Sequence, residues 1–187
     1  MESELSKKIV NYALKVKEND RVLITYESEK CNNLIKNLIK DITEKKGIVF
    51  TKRIDNEISA LLLETTTDER IKEIAKRNEF EVDNFDCFIS IRYSTNEYED
   101  KNVASEIRKK IGDATKESHD IRTNQRRWVL LNYPSVLDAY KAKMTYDEFY
   151  DYAFKSMIFD YEKMEKAVEP LKKLMEKTDK VRLTGKD

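Results

Sequence analysis

The sequence predicts an α/β fold: a Rossmann-like three-layer unit with a mainly parallel sheet, followed by a helical segment. Two features of the pattern lead to this prediction. Short apolar runs alternate with longer stretches in which apolar residues recur every three or four positions, so strands and helices alternate. After residue 134 only the helical pattern continues. Parallel neighbours need a crossover that packs back over the sheet, so helices are expected on both faces.

The first helix is predicted from apolar residues that share one face, namely Leu5, Ile9, Ala13 and Val16. It is expected to end at residues 18–20, where Asn19 can adopt the left-handed conformation that often closes a helix. Residues 21–26 follow as the first strand, because they form a short, largely apolar run.

The next elements are a helix over residues 34–42 and a strand over residues 48–54. Gly47 lies between them and is expected to be the left-handed residue that ends the helix. Residues 58–63 fit either a helix or a strand. Thr66 and Glu69 have the spacing of a capping box, which predicts a further helix.

The third and fourth strands are predicted over residues 87–91 and 127–131, with a helix marked by the apolar residues of 103–114 between them. Trp128 is interpreted as a core residue of the fourth strand. The strand is expected to end at Tyr133, because Pro134 follows it. Residues 1–134 are therefore predicted to form the α/β domain.

Residues 135–179 are predicted to form a helical extension that packs on this domain. Thr145 and Glu148 have capping-box spacing, and an aromatic stripe follows them. Pro170 is expected to kink or break the helical pattern, because proline removes a backbone donor. Residues 180–187 are interpreted as the start of a strand that continues into a longer chain.

Composition narrows the range of partners. Lys and Arg together number 36, as do Asp and Glu, so no strong field of one sign is available for a nucleic acid or an anionic membrane. The apolar runs are too short to cross a bilayer. Cys31 and Cys87 lie far apart, and the chain starts with Met1 and charged residues, which favours reduced thiols in the cytoplasm.

No complete catalytic or metal site is evident in the sequence. A zinc site needs several converging donors, whereas His119 is the sole histidine and lies in a polar stretch typical of a surface. Cys31 starts a helix that could lower its thiol pKa, but no base is evident, so Cys31 and Cys87 are interpreted as packed thiols. The acidic pairs 99–100 and 147–148 are interpreted as helix caps. No catalytic, cofactor-binding or metal-binding residue is therefore assigned.

Residues 127–135, with Ala139, Met144, Thr145, Glu148 and Asp160 after them, resemble the amino-terminal half of the thermophilic-type metallo-aminopeptidases, the aminopeptidase T and aminopeptidase S family. Residues 10–14, 19–24 and 181–185 support the resemblance. Asn19 stands where the family usually has glycine, and Ser135 and Thr145 exchange one hydroxyl residue for another. These departures are conservative, because a left-handed turn tolerates asparagine.

The resemblance implies a cytoplasmic parent enzyme that removes amino-terminal residues from peptides. Two divalent ions (zinc, cobalt or magnesium) would activate water and polarise the scissile carbonyl. The family's metal ligands belong to its carboxy-terminal domain, and no position of this chain matches them. The chain alone is therefore expected to be inactive, and residues 180–187 to lead into an absent carboxy-terminal catalytic domain.

Two functions remain open. In the first, the chain is the non-metal domain of the peptidase, which helps to form the substrate chamber and a homodimer. Its partners would then be its own catalytic domain and a peptide substrate. In the second, it is a stand-alone α/β binding or assembly module without hydrolytic activity.

Overall fold

A computed structural model describes residues 1–185, and these residues form a four-stranded sheet with helices. The strand order is β2-β1-β3-β4, and every neighbouring pair is parallel. The strands are β1 (Arg21–Tyr26), β2 (Ile48–Arg53), β3 (Cys87–Arg92) and β4 (Arg127–Asn132). The predicted α/β fold with a parallel sheet is confirmed.

Within the described residues, eight α-helices precede, connect and follow these strands. They are α1 (Glu2–Lys8), α2 (Asn32–Glu44), α3 (Asn56–Glu64), α4 (Asp68–Asn84), α5 (Ser105–Gln125), α6 (Val136–Lys141), α7 (Tyr146–Met157) and α8 (Tyr161–Met175). A π-helical segment, Ile9–Ala13, continues α1, and a 3-10 turn, Glu29–Cys31, precedes α2.

The sheet separates two apolar layers, because side chains alternate between the faces of a strand. On one face, Ile24 and Ile89 pack in the main core with residues of α1, α2 and α7, including the fully buried Phe154. On the other face, Leu23 and Phe88 pack with Val82 of α4 in a smaller cluster, against which Ile121 of α5 packs. Helices therefore cover both faces, which gives the expected three layers.

The first helix ends earlier than its pattern predicts. The π-helical segment ends at Ala13, and Lys15 is left-handed with φ 47°. The amide of Val16 then donates to the carbonyl of Val10, which brings Val16 into the core outside any helix. Asn19 is left-handed as predicted, with φ 67°.

The left-handed residue after α2 is Lys46 (φ 61°), not Gly47. Position 47 has no room for a side chain. A Cβ there would lie 2.7 Å from Cγ2 of Ile42 and 3.1 Å from Cγ1 of Val16. The chain passes too close to the core there for a side chain.

Residues 58–63 are helical, as part of α3, whose first turn is capped by the Asp55 side chain. The cap of α4 is one residue later than predicted. Thr67 accepts from the amide of Arg70 at 3.3 Å, so the expected Thr66–Glu69 box does not form.

The carboxyl half differs from the sequence prediction in three places. Trp128 is 44% exposed, because it lies on β4, the strand at one edge of the sheet. Helix α8 runs through Pro170 without a break, so of the two expected outcomes only the kink stays a prediction. Residues 180–185 form no strand within the described part of the chain, since a strand needs a pairing partner. Lys186 and Asp187, which belong to the same prediction, lie outside the described residues.

Candidate functional site

A cavity of about 480 Å³ lies at the carboxyl ends of the strands, on the side of the sheet that α4 and α5 cover. From β1 the chain crosses to β2 on one side and later to β3 on the other, so the strand order reverses between β1 and β3. Ligands of open α/β sheets bind in the crevice at such a reversal. We call this space the switch-point cavity.

The floor of the switch-point cavity is a row of four residues that are direct partners across the sheet: Lys52, Thr25, Ser90 and Leu130. On β1 and β3 the residues of this row are polar. Two residues earlier, the same face of these two strands carries the apolar Leu23 and Phe88. The hydroxyl of Thr25 donates to Oγ of Ser90 at 3.1 Å.

Arg122 of α5 reaches over this floor. Its Nη2 donates to Oγ of Ser90 at 2.7 Å, and its guanidinium lies 4.9 Å from the ring centre of Phe88. Burial lowers the pKa of Arg122. The negative charge of Glu81 acts in the opposite direction, and the positive charge of Arg92 lowers the pKa further. Arg122 is thus a partly desolvated cation, fixed between a hydroxyl and an aromatic face.

The walls of the cavity carry both charged and aromatic groups. Lys52 and Glu81 of α4 form an ion pair at 2.5 Å. Trp128 donates from Nε1 to the carbonyl of Thr123 at 3.1 Å, which fixes its indole at the outer edge. The exposed His119 contributes to the rim.

The described residues do not fit a metal centre. Within residues 1–185, no three His, Cys, Asp or Glu side chains converge in a way that could hold an ion. His119, the sole histidine, is exposed as expected. The assignment of no catalytic, cofactor-binding or metal-binding residue stays a prediction.

Both cysteines are packed thiols. Cys31 and Cys87 are fully buried, and burial raises their pKa values to about 12 and about 11. Near neutral pH each thiol is therefore protonated, and a protonated thiol is a poor nucleophile and metal ligand.

The acidic pairs have structural partners. Asp100 pairs with Arg108 of α5 at 2.7 Å, and Glu148 completes the predicted capping box with Thr145. Only the second pair caps a helix directly. Asp100 instead ties the preceding turn to the first part of α5.

The residues that carry the sequence resemblance hold the fold together. Arg127 donates to the carbonyls of Leu14 and Lys15, both at 2.9 Å, and to Asp20 at 2.7 Å. Burial alone would raise the pKa of Asp20, but the hydrogen bonds from Arg127 and from the amide of Lys17 lower it overall. Arg127 therefore joins the start of β4 to the turn that precedes β1.

The other end of this segment is more deeply buried than Arg127. The Tyr133 hydroxyl donates to Glu2 at 2.5 Å, and burial followed by this hydrogen bond raises the Tyr133 pKa far above its usual range. Ser135 is fully buried and caps α6 through Oγ, which accepts from the amide of Asp138 at 3.1 Å. The residues of this segment therefore have structural roles in packing and hydrogen bonding.

Sequence reasoning missed the switch-point cavity and the role of Arg122. A usable signal was present: Thr25 and Ser90 fall near the ends of two strands that were predicted to be parallel. The contact with Arg122 depends on the orientation of α5, which no local pattern reveals.

Helix α8 presents an unpaired apolar surface. Its exposed apolar residues recur at helical spacing, and none of its described side chains is buried. We call this surface the α8 stripe: Met164, Val168, Leu171, Leu174 and Met175. Within residues 1–185, no helix combines the length and apolar composition that a membrane crossing requires.

Comparison with solved structures finds a similar fold in wild-type AmpT from Thermus thermophilus. The TM-score is 0.62 at 12% sequence identity, and the match covers 84% of this chain and 42% of the AmpT chain. At this identity the likeness shows the fold. The chain thus spans less than half the length of that protein.

Comparison with curated protein sequences gives no match. The sequence profile of the thermophilic metalloprotease family (M29) matches residues 3–185, which confirms the resemblance noted from residues 127–135. Because this match spans nearly the whole sequence, the chain belongs to the thermophilic metalloprotease family (M29).

Proposed function

We propose that the chain is the amino-terminal, non-metal-binding domain of a metal-dependent aminopeptidase that removes amino-terminal residues from peptides in the cytoplasm. One observation carries the proposal: the family match covers residues 3–185, yet no metal-holding group occurs among those residues. A hydrolytic two-ion centre needs several converging oxygen and nitrogen donors. The ions, zinc, cobalt or magnesium, would therefore be held by a carboxy-terminal catalytic domain.

The length of AmpT supports a second domain. More than half of the AmpT chain lies outside the match. The α8 stripe supplies a surface for such a domain, because large contiguous apolar patches mark interaction sites. In this proposal residues 1–134 form the α/β domain, residues 135–179 pack on it, and residues 180–187 lead to the catalytic domain. The chain then helps to form the substrate chamber and a homodimer.

The switch-point cavity favours the alternative, a stand-alone α/β binding or assembly module without hydrolytic activity. A crevice at a strand reversal is the usual ligand site of this fold class. The two functions differ in one respect that can be measured. Only the first requires that peptidase activity appear when a catalytic domain is joined to the chain.

The test compares the chain with a version that continues into a carboxy-terminal catalytic domain of the family. Both proteins are incubated with a leucine chromogenic amide and with cobalt, zinc or magnesium. The expected result is metal-dependent turnover by the longer protein alone. A matched control is the longer protein with excess chelator, which should lose its activity.

Two outcomes would count against the proposal. Metal-dependent cleavage by the 187-residue chain itself would show that it contains a metal centre. Absence of turnover in a correctly folded, metal-loaded longer protein would instead favour the binding module.

A further inference from the structure

Arg122 has no carboxylate partner among the described residues. Within residues 1–185, no ion pair up to 4.0 Å involves it, and its one side-chain hydrogen bond goes to Ser90. A guanidinium carries five N–H donors. The Arg122 nitrogens that make no hydrogen bond are not fully buried, so these donors are reachable from solvent. Because Arg122 lines the switch-point cavity, these donors are available to a bound molecule.

The carboxylates of the cavity are already engaged. Glu81 pairs with Lys52 at 2.5 Å, and Glu27 accepts from the amide of Tyr93 at 2.9 Å. Arg92, which also lines the cavity, forms no ion pair within the described chain. The cavity therefore has an excess of positive charge next to Arg122. A partly desolvated cation of this kind is stabilised when an anion pairs with it.

The rest of the lining selects the kind of anion. Trp128 and Leu130 give the cavity an apolar wall beside the guanidinium. A volume of about 480 Å³ is in the range of small-molecule sites. The planar fork of arginine matches the two oxygens of a carboxylate. A phosphate would instead favour a backbone cradle, and the three glycines lie at positions 47, 112 and 185, away from the cavity lining.

We propose that the switch-point cavity binds a small organic carboxylate, with its carboxylate on Arg122 and its apolar part against Trp128 and Leu130. Ser90 holds the guanidinium in place from the floor of the cavity. This site is separate from the α8 stripe. The proposal does not depend on whether the parent protein is a peptidase.

The test uses two probes of nearly equal shape, 4-methylpentanoate and its neutral amide, together with inorganic phosphate. Trp128 is the only tryptophan of the chain and lines the cavity, so its fluorescence reports binding directly. The carboxylate should cause a saturable change. The amide should bind at least about tenfold more weakly, because it forms no charge-assisted hydrogen bond with Arg122.

Variants locate the site. Arg122→Gln should weaken binding of the carboxylate at least about tenfold, and Arg122→Lys should fall between that variant and the unchanged protein, because the charge remains while the fork is lost. Lys109→Gln removes a cation from an exposed position of the same helix and should leave the affinity unchanged. Circular dichroism checks that each variant is folded.

Several results would overturn the proposal. They are the absence of saturable binding to the unchanged protein, equal affinity for the amide, preference for phosphate, or full affinity in folded Arg122→Gln. The comparison of carboxylate and amide needs no variant, so the proposal stays testable even if Arg122→Gln does not fold.

Discussion

At the residue scale, Arg127 shows how one side chain can connect distant parts of the sequence. Its guanidinium joins the start of β4 to the carbonyls of Leu14 and Lys15 and to Asp20. Asp20 is largely buried, with 11% of its side chain exposed, so solvent screens this ion pair less than the surface pairs. Its carboxylate also accepts from the amide of Lys17 at 2.6 Å.

We predict that Asp20→Asn lowers the free energy of unfolding by about 2 kcal/mol at neutral pH, between the values for exposed and buried pairs. The Asp20 pKa is lowered in the folded state despite the opposing effect of burial. Its contribution is therefore complete above the unfolded-state pKa of about 3.9 and disappears as the pH falls through the lower folded-state value. Urea unfolding from pH 7 to pH 2 measures it.

The difference between the two proteins should be constant above about pH 5 and should shrink below about pH 4. The matched control is Asp151→Asn on α7, whose ion pair with Lys155 is exposed and should contribute about 0.5 kcal/mol or less. If the difference in the free energy of unfolding persists unchanged to pH 2, the ionised Asp20 carboxylate is not its source.

At the element scale, the return from α2 to β2 depends on space at Gly47. We predict that Gly47→Ala lowers the free energy of unfolding by about 1–3 kcal/mol, because the new methyl group would overlap Ile42. Gly112→Ala in the middle of α5 is the matched control. It meets no atom within 4 Å and should stabilise the protein by about 0.5–1 kcal/mol through helix propensity. Thermal unfolding of both variants gives the comparison, and equal effects would contradict it.

Elements with a strong local pattern could be predicted from sequence. The four strands were located within a residue or two, because each contains a short apolar run, whether the strand is central in the sheet or at its edge. The early end of the first helix could not be predicted, because the π-helical segment and the left-handed Lys15 depend on contacts with the core. Pro170 did not break α8, so the remaining helical bonds outweigh one missing donor.

The candidate site was less predictable than the fold. The sequence predicted that His119 lies on the surface and that Cys31 is packed in the core. The structure shows both residues in these positions. Arg122 gave no local signal, since it is one of many cations in a helix. Its position above Ser90 follows from how α5 crosses the sheet.

At the scale of the whole molecule, the α8 stripe leaves substantial apolar surface in solvent. Leu171 and Leu174 are 57% and 60% exposed. We predict that the isolated chain self-associates through this stripe and that Leu171→Lys with Leu174→Lys makes it monomeric, because charge opposes apolar association. Sedimentation velocity over a range of concentrations measures the change.

The control for this prediction is Phe80→Lys on α4. Phe80 is equally exposed, at 60%, but lies outside the α8 stripe. It should leave self-association unchanged. Loss of association in the Phe80 variant, or its persistence in the α8 variant, would place the contact elsewhere.

This chain belongs to a metalloprotease family, and we propose that it does not hold the metal centre itself. Equilibrium dialysis of the folded chain against zinc or cobalt, with bound metal counted per chain, tests it most directly. We expect no stoichiometric, tightly retained ion. Two ions retained per chain, released when side chains of residues 1–185 are substituted, would contradict it.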